Sequence, residues 1–286
     1  MVTSKQKFGI YCSIPGFVVL IGVILFPTIY NLVTSFTRYD NFSPVVFNGL
    51  RNYRALFRSR DFYTSWRVSL VYSLGVTTIS VVMGIILATC LSKIKKGSAV
   101  FRTIVILPWA APLVVSGLMW KWILSNNLGI VNYLLSLIGI GPVDFLVNPN
   151  LEILSGIIGT SWAYIPFATI LILASMESIP LELFEASKID GADSIQAFWS
   201  ITLGLIKKQI LVAGLIVWMF TFRTPDMFVA LTRGGPGKAT YHAGIFLQDT
   251  IYKYLDFGRG AAIGVLIFLT LAIPSSIILY KGVLKE

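Results

Sequence analysis

Cysteine and histidine are almost absent from this sequence: two Cys and one His stand among 286 residues. Cys12 and Cys90 lie far apart with no Cys-x-x-Cys spacing, so neither a disulfide framework nor a metal site is indicated. Both fall in long apolar stretches, where they are expected as small buried side chains. The single imidazole, His242, has no second ligand or nucleophile in view and is expected at the surface of a loop. No Ser/His/Asp set, zinc spacing or paired carboxylate cluster stands out, so the chain does not read as an enzyme. Charge is scarce as well: only 13% of residues are Asp, Glu, Lys or Arg. The net charge of +10 is spread along a chain this apolar, which gives a nucleic-acid partner no support.

What fills the chain is hydrocarbon. Hydrophobic residues make up 56%, well above a soluble globular composition. About 20 helical residues cross roughly 30 Å of bilayer, and six stretches of that length are predicted as spans, giving an all-α polytopic membrane protein. They lie near 11–33 (bent by Pro27), 68–91, 103–124 (kinked by Pro108 and Pro112), 153–176, 209–231 and 260–281. Trp120 and Trp122 bracket Lys121 as interfacial aromatics do. The first stretch is too long, and lacks the small-x-small site, for a cleavable signal peptide. The organisation expected is residues 1–67 as an N-terminal helix with an external basic loop, and residues 68–286 as a five-helix core. Basic residues divide almost evenly between the two faces. The short Lys93–Arg102 loop, basic without an acid, favours cytoplasmic N- and C-termini.

Residues 180–206 differ from the rest. Pro180 suits the first position of a helix, with Glu182 and Glu185 in the first turns, where the helix dipole favours negative charge. Asp190-Gly191 supplies a stop, and Asp193 with Gln196 forms the pattern of a capping box for a second helix. Ile195, Phe198, Trp199, Thr202, Leu203 and Ile206 recur at helical spacing, which predicts one broad apolar face. An acidic amphipathic element between two spans reads as a docking element for a partner's groove.

Polar groups inside a span are costly and face a cavity or a partner. Arg223, Thr224 and Asp226, with Pro225 freeing backbone groups between them, therefore become candidates for lining a pathway. An Arg223–Asp226 ion pair is the competing structural reading. The GGPGKAT run, residues 234–240, departs from a phosphate loop at Thr232 and Ala239 and reads as a tight turn after span five. Gly260 and Gly264 have the GxxxG spacing of a helix contact, open between a subunit interface and chance.

The string Glu185-Ala186-Ser187-x-x-Asp190-Gly191-Ala192, followed by Ile201-Thr202-Leu203, resembles the EAA loop of permease subunits in binding-protein-dependent ABC importers. The blocks FRTIVILPW (101–109), WKWI (120–123), LTRGGPG (231–237) and DFGRGAA (256–262) are similar to the carbohydrate-importing, maltose-permease-like branch of that family. Gly204 stands where the family writes Pro, and Ser187 where it writes the last Ala of Glu-Ala-Ala. The short loop before span two leaves no room for the large external domain of the enteric form.

The resemblance implies the type I ABC importer permease fold and a sugar or oligosaccharide pathway loaded by an extracytoplasmic solute-binding protein. It also implies a dimer of ATP-binding subunits docked on the EAA element, a second homologous permease, and residence in the cell (inner) membrane. Glu185 would contact the ATPase, with Gly191 setting the turn. No cofactor is expected on this chain, ATP and magnesium belonging to the partner subunit. By the same resemblance Tyr164 and Phe167 in span four, with Arg223 and Thr224 in span five, fall where sugar contacts lie. An acidic and a neutral sugar are both open. The rival reading is an ion-coupled secondary transporter, against which the absence of internal repeats and the near-isolation of Asp226 argue.

Overall fold

The structure is a computed structural model that describes residues 13–40, 42–94 and 96–284. Cys12 and the basic residues Lys5, Lys7, Lys95 and Lys285 lie outside the described residues. In chain order the elements are α1 (Ser13–Thr34), β1 (Thr37–Arg38), β2 (Val46–Phe47), α2 (Arg51–Arg58), α3 (Arg60–Ser92), α4 (Ser98–Ala110) and α5 (Leu113–Ile123). There follow α6 (Ile130–Leu137), α7 (Pro149–Glu177), α8 (Leu181–Ile189), α9 (Ser194–Arg223), α10 (Asp226–Leu231), α11 (Ala243–Gln248) and α12 (Phe257–Leu279).

Five helices, α1, α3, α7, α9 and α12, are long and apolar enough to cross a bilayer, and α4 with α5 makes a sixth span bent by 90°. The expected kink of span three is thus a full break. Pro108 lies in the last turn of α4, which ends at Ala110; Ala111 is extended, as the residue before a proline prefers, and Pro112 opens α5. Pro removes a helix hydrogen bond and clashes with the preceding turn, so Pro108 weakens the last turn of α4 and Pro112 prevents the helix from continuing. Pro27 is absorbed differently, next to a π-helical stretch over Leu20–Leu25 inside α1.

The chain forms two compact units. One consists of residues up to Phe62 together with Leu247–Thr270. In it, β1 and β2 pair antiparallel in the register Thr37 to Phe47 and Arg38 to Val46. The Asn52 amide donates to the carbonyls of Ser35 (2.9 Å) and Thr37 (2.8 Å), tying α2 to the hairpin. Asp40 accepts from the Phe42 amide and pairs with Arg38, which together hold its carboxyl below the usual range. The GxxxG glycines are used within this unit. Gly260 packs on Ile251 and Gly264 on Asn31, whose amide reaches the Ala261 carbonyl. They are therefore intrachain contacts here.

The second unit, Tyr63–Phe246 with Leu271–Glu286, is centred on α7, the most buried of the spanning helices. It is flanked by α4, α5, α9 and α10. Lipid gives apolar side chains little reason to leave it, so helix association depends on close backbone approach. Gly84 of α3 meets Ala168 of α7 in this way, a Cβ there lying 2.9 Å from that methyl. Ala88, Leu91, Ile172, Leu173, Met176, Ile206 and Ala213 form an apolar cluster where α3, α7 and α9 converge. Cys90, expected to be buried, is exposed on α3. In a spanning helix the outward face is lined by lipid rather than water, so an exposed thiol there is no anomaly.

Candidate functional site

The docking element forms as a helix, a turn and a second helix. Pro180 precedes α8 in extended backbone, one position earlier than predicted, so Leu181 is the first helical residue. Asp190 closes α8, and Gly191 at φ +82° reverses the chain. The Gly191 amide donates to the Lys188 carbonyl (3.1 Å) and the Ala192 amide to that of Ser187 (2.9 Å), a Schellman pair that satisfies the helix end. Asp193 then caps the next helix through the amides of Ile195 and Gln196, and the Gln196 side chain accepts from the Asp193 amide, completing the capping box.

The second predicted helix is not separate; it runs on into α9 as one rod from Ser194 to Arg223. A π-helical stretch at Phe198–Thr202 widens the turn and splits the predicted stripe. Thr202 and Ile206 point inward, while Ile195 and Trp199 remain 69% and 67% exposed. Glu185, Ala186 and Asp190 are exposed, and Ala192 half-buried. Ser187 is half-buried, its hydroxyl donating to the Phe184 carbonyl. Among the described residues the Glu185 carboxylate has no salt bridge within 4.0 Å. Behind the element lies a cavity of about 820 Å3, lined among others by Thr89, Met176, Phe184, Ser187 and Phe198. At its edge Glu177 of α7 pairs with Arg102 of α4.

The second cluster lies where α7 meets α9. Tyr164, almost fully buried, stacks on Phe220 with ring centres 6.3 Å apart, and the Arg223 guanidinium lies 5.7 Å over the same Phe220 ring. Phe220 thus joins two of the predicted residues. No periodicity argument singled it out, because an aromatic in an apolar helix carries no distinguishing signal. Phe167 goes elsewhere, 5.8 Å from Trp109 of α4. The predicted fifth span does not run through to 231. α9 stops at Arg223, Thr224 is extended, and Asp226 starts the short α10. The helical i,i+3 relation is therefore lost, and among the described residues no ion pair joins Arg223 to Asp226.

A third group, missed in the sequence, secures the segment after α10. His242, expected at the surface, has no exposed area. Its Nδ1 accepts from the Gly244 amide at 3.0 Å, and its ring sits among Tyr72, Phe222 and Phe228. Burial pushes its pKa down to about 3, with the Thr221 backbone pulling the other way. The imidazole is neutral in the folded protein, whereas the unfolded chain takes up a proton below about pH 6.5. Stability is therefore full above that pH and falls as pH drops toward 3, by about 1.4 kcal/mol per unit once well below it. The thermal midpoint of the wild type is expected to fall more between pH 7 and 4.5 than that of His242→Asn, which keeps an acceptor near Nδ1; parallel losses would contradict the assignment.

Close by, Glu152 is fully buried in the first turn of α7 and accepts from the Thr240 hydroxyl at 2.8 Å. The GGPG run makes the predicted tight turn, with positive φ at Arg233, Gly234, Gly235, Gly237 and Lys238. It presses the Gly235 backbone against the Glu152 carboxylate.

Comparison with known proteins places this architecture. Residues 80–284 match the model of the family described as binding-protein-dependent transport system inner membrane component. The chain is 34% identical over 273 residues to the trehalose/maltose transport system permease protein MalF of Thermococcus litoralis, covering 93% of this chain and 92% of that protein. It superposes on a chain from the crystal structure of a bacterial ABC transporter involved in the import of the acidic polysaccharide alginate. That match has a TM-score of 0.79 and 21% identity, and covers 98% of this chain and 97% of the other. A chain of the alginate ABC transporter in complex with an alginate pentasaccharide-bound periplasmic protein fits equally well, with a TM-score of 0.79 and 22% identity over 97% and 96% of the two chains. With the family match running over most of the chain and the relative aligning nearly end to end, this integral membrane protein belongs to the binding-protein-dependent transport system inner membrane components, the permease subunits of ABC importers.

Proposed function

We propose that this permease carries a saccharide delivered by an extracytoplasmic solute-binding protein, driven by a dimer of ATP-binding subunits that holds ATP and magnesium. A second, homologous permease completes the pathway. ATP hydrolysis belongs to the separate subunit, and the ion-coupled alternative gives way to the family assignment. The observation that carries the proposal is the exposed, acidic α8 and its capped turn, continuous with the α9 rod. A push on Glu185, Ala186 and Ser187 passes through the Asp190-Gly191-Ala192 turn into a helix that reaches Arg223, so a partner's closure becomes a movement at the pathway. In this reading the termini and α8 are cytoplasmic, residues 68–286 form the transporting core, and residues 1–67 add a helix and an external loop.

Tyr164, Phe167, Arg223, Thr224 and Asp226 are assigned to the pathway. The aromatic faces suit sugar rings, and the guanidinium suits hydroxyls or a carboxylate. The MalF relative is named for trehalose and maltose and the structural match for alginate, which supports a saccharide of either charge. The test is ATPase stimulation and uptake in proteoliposomes holding both permeases, the ATPase and the binding protein, across neutral and uronide oligosaccharides. A saccharide is expected to stimulate both. Stimulation by amino acids or other non-sugar solutes alone would overturn the assignment. Arg223→Ala is expected to weaken uptake of an acidic sugar by roughly tenfold or more, the loss of a charged hydrogen bond of about 1.5–3 kcal/mol, and that of a neutral one less.

A further inference from the structure

We propose that α6 lies along the membrane surface at the end of the protein opposite the coupling element, with Ile130, Tyr133, Leu134 and Leu137 set into the lipid. The inference rests on the chain's being an integral membrane protein and is independent of what it transports.

Topology places the helix. α6 lies between α5, the second half of a broken span, and α7, whose other end leads into α8. Six residues separate α5 from α6, a reach of at most about 20 Å even when fully extended. Polar anchors shorten this further. The Asn132 amide donates to the carbonyls of Ser125 (3.3 Å) and Val143 (3.1 Å), and its oxygen accepts from the Val143 amide at 2.8 Å. Asn126 in turn donates to Asp144. These bonds tie the helix to the loops on either side of it, between the ends of α5 and α7.

Its faces are the reverse of those of a helix that meets water. Asn132 is 6% exposed and points inward, whereas Tyr133 is 62%, Leu134 54% and Leu137 65% exposed, at the spacing of one helical stripe. Leu128 and Ile138 extend that surface at either end. Between Lys121 and Asp144 there is no charged residue. A patch of this kind on a water-facing surface would be an aggregation site.

Two observations favour lipid as the occupant. The neighbouring spans expose apolar side chains as well, Val115, Leu118 and Trp122 of α5 and Leu154 and Ile158 of α7, which a bilayer would cover together with α6. It also has an aromatic at each step toward the interface, Trp122 and Tyr133, as interfacial belts do. Behind α6 a cavity of about 240 Å3, lined among others by Trp120, Val131 and Phe145, leaves the helix incompletely packed on the protein side. With no Lys or Arg on the helix, insertion is by apolar area alone, to a depth of about 5–10 Å, without need of anionic lipid.

The test is nitroxide labelling of single cysteines at Leu134, Leu137 and Ser136, one at a time, with Cys12 and Cys90 replaced by Ser. The full chain is studied with its partner subunits in phosphatidylcholine nanodiscs. Labels at Leu134 and Leu137 are expected to relax severalfold more with oxygen than with a water-soluble nickel chelate, and the label at Ser136, on the flank, to show the opposite. Nickel accessibility at Leu134 and Leu137 would place the face in water and overturn the proposal. Protection from both reagents would place it under a protein partner and overturn it equally. Monodisperse elution checks each variant, and Ile130 or Tyr133 replaces any position that fails.

Discussion

Glu185→Lys is expected to leave insertion and yield unchanged while reducing ATP-driven uptake by roughly a hundredfold or more. The first part follows from the structure. Glu185 is exposed on α8, and among the described residues no salt bridge to it is lost with the charge. The second part follows from the proposed contact. A carboxylate paired with a basic residue in a partner's groove becomes, on reversal, two like charges out of water. Breaking such a buried pair costs about 3–5 kcal/mol, and each 1.4 kcal/mol is a factor of ten. Uptake and binding-protein-stimulated ATPase are measured in proteoliposomes, alongside the amount of ATP-binding subunit that co-purifies. Wild-type stimulation and full co-purification would remove Glu185 from the contact and leave α8 as an ordinary exposed helix.

Gly235→Val is expected to remove most of the folded protein. The residue sits at φ +69°, ψ 179°, a conformation that only glycine adopts readily. A Cβ there would lie 2.1 to 2.4 Å from the atoms of the Glu152 carboxyl group. Glu152 is fully buried and bonded to Thr240, so moving it aside gives up that hydrogen bond. Backbone strain of about 1–3 kcal/mol combines with overpacking of about 1–3 kcal/mol, a large part of a stability of about 5–15 kcal/mol. Detergent-solubilised yield and thermal midpoint report the loss. Gly235→Val with Glu152→Ala relieves the clash but not the strain, and is expected to recover part of it. A normal midpoint for Gly235→Val alone would mean that the GGPG turn does not rest on Glu152.

Much of the helix-turn-helix over residues 180–206 was legible because its signals are local. Gly at the turn and Asp193 with Gln196 each act within five residues, and the structure shows both at work, while Pro180 lies one position outside the helix it was expected to begin. The apolar stripe from Ile195 to Ile206 was read at a regular 3.6-residue period. It failed at the π-helical stretch, whose wider turn leaves Trp199 outside. Pro225 was read as freeing backbone groups inside a fifth span that ran on to 231, and nothing near it signalled the break at Arg223 or the burial of His242 among Tyr72, Phe222 and Phe228. Burial of a loop residue is set by partners more than a hundred positions away, as with Tyr72. Glu152 was unremarkable in sequence for the same reason, since its partners Thr240 and Gly235 lie beyond three further helices of the chain.

Membrane character, the number of crossings and the site of the turn at Gly191 were determined by the sequence alone. Span length and the absence of charge respond to the bilayer, and caps respond to neighbouring residues; neither needs a fold. Only the tertiary structure decided which faces those helices bury. It brought Tyr164 and Arg223 onto one Phe220 ring, turned Asn132 inward and Leu134 outward, and kept Gly260 and Gly264 for contacts within the chain. In lipid, inward and outward residues are equally apolar, so hydropathy cannot tell them apart, and close packing between distant segments makes the choice.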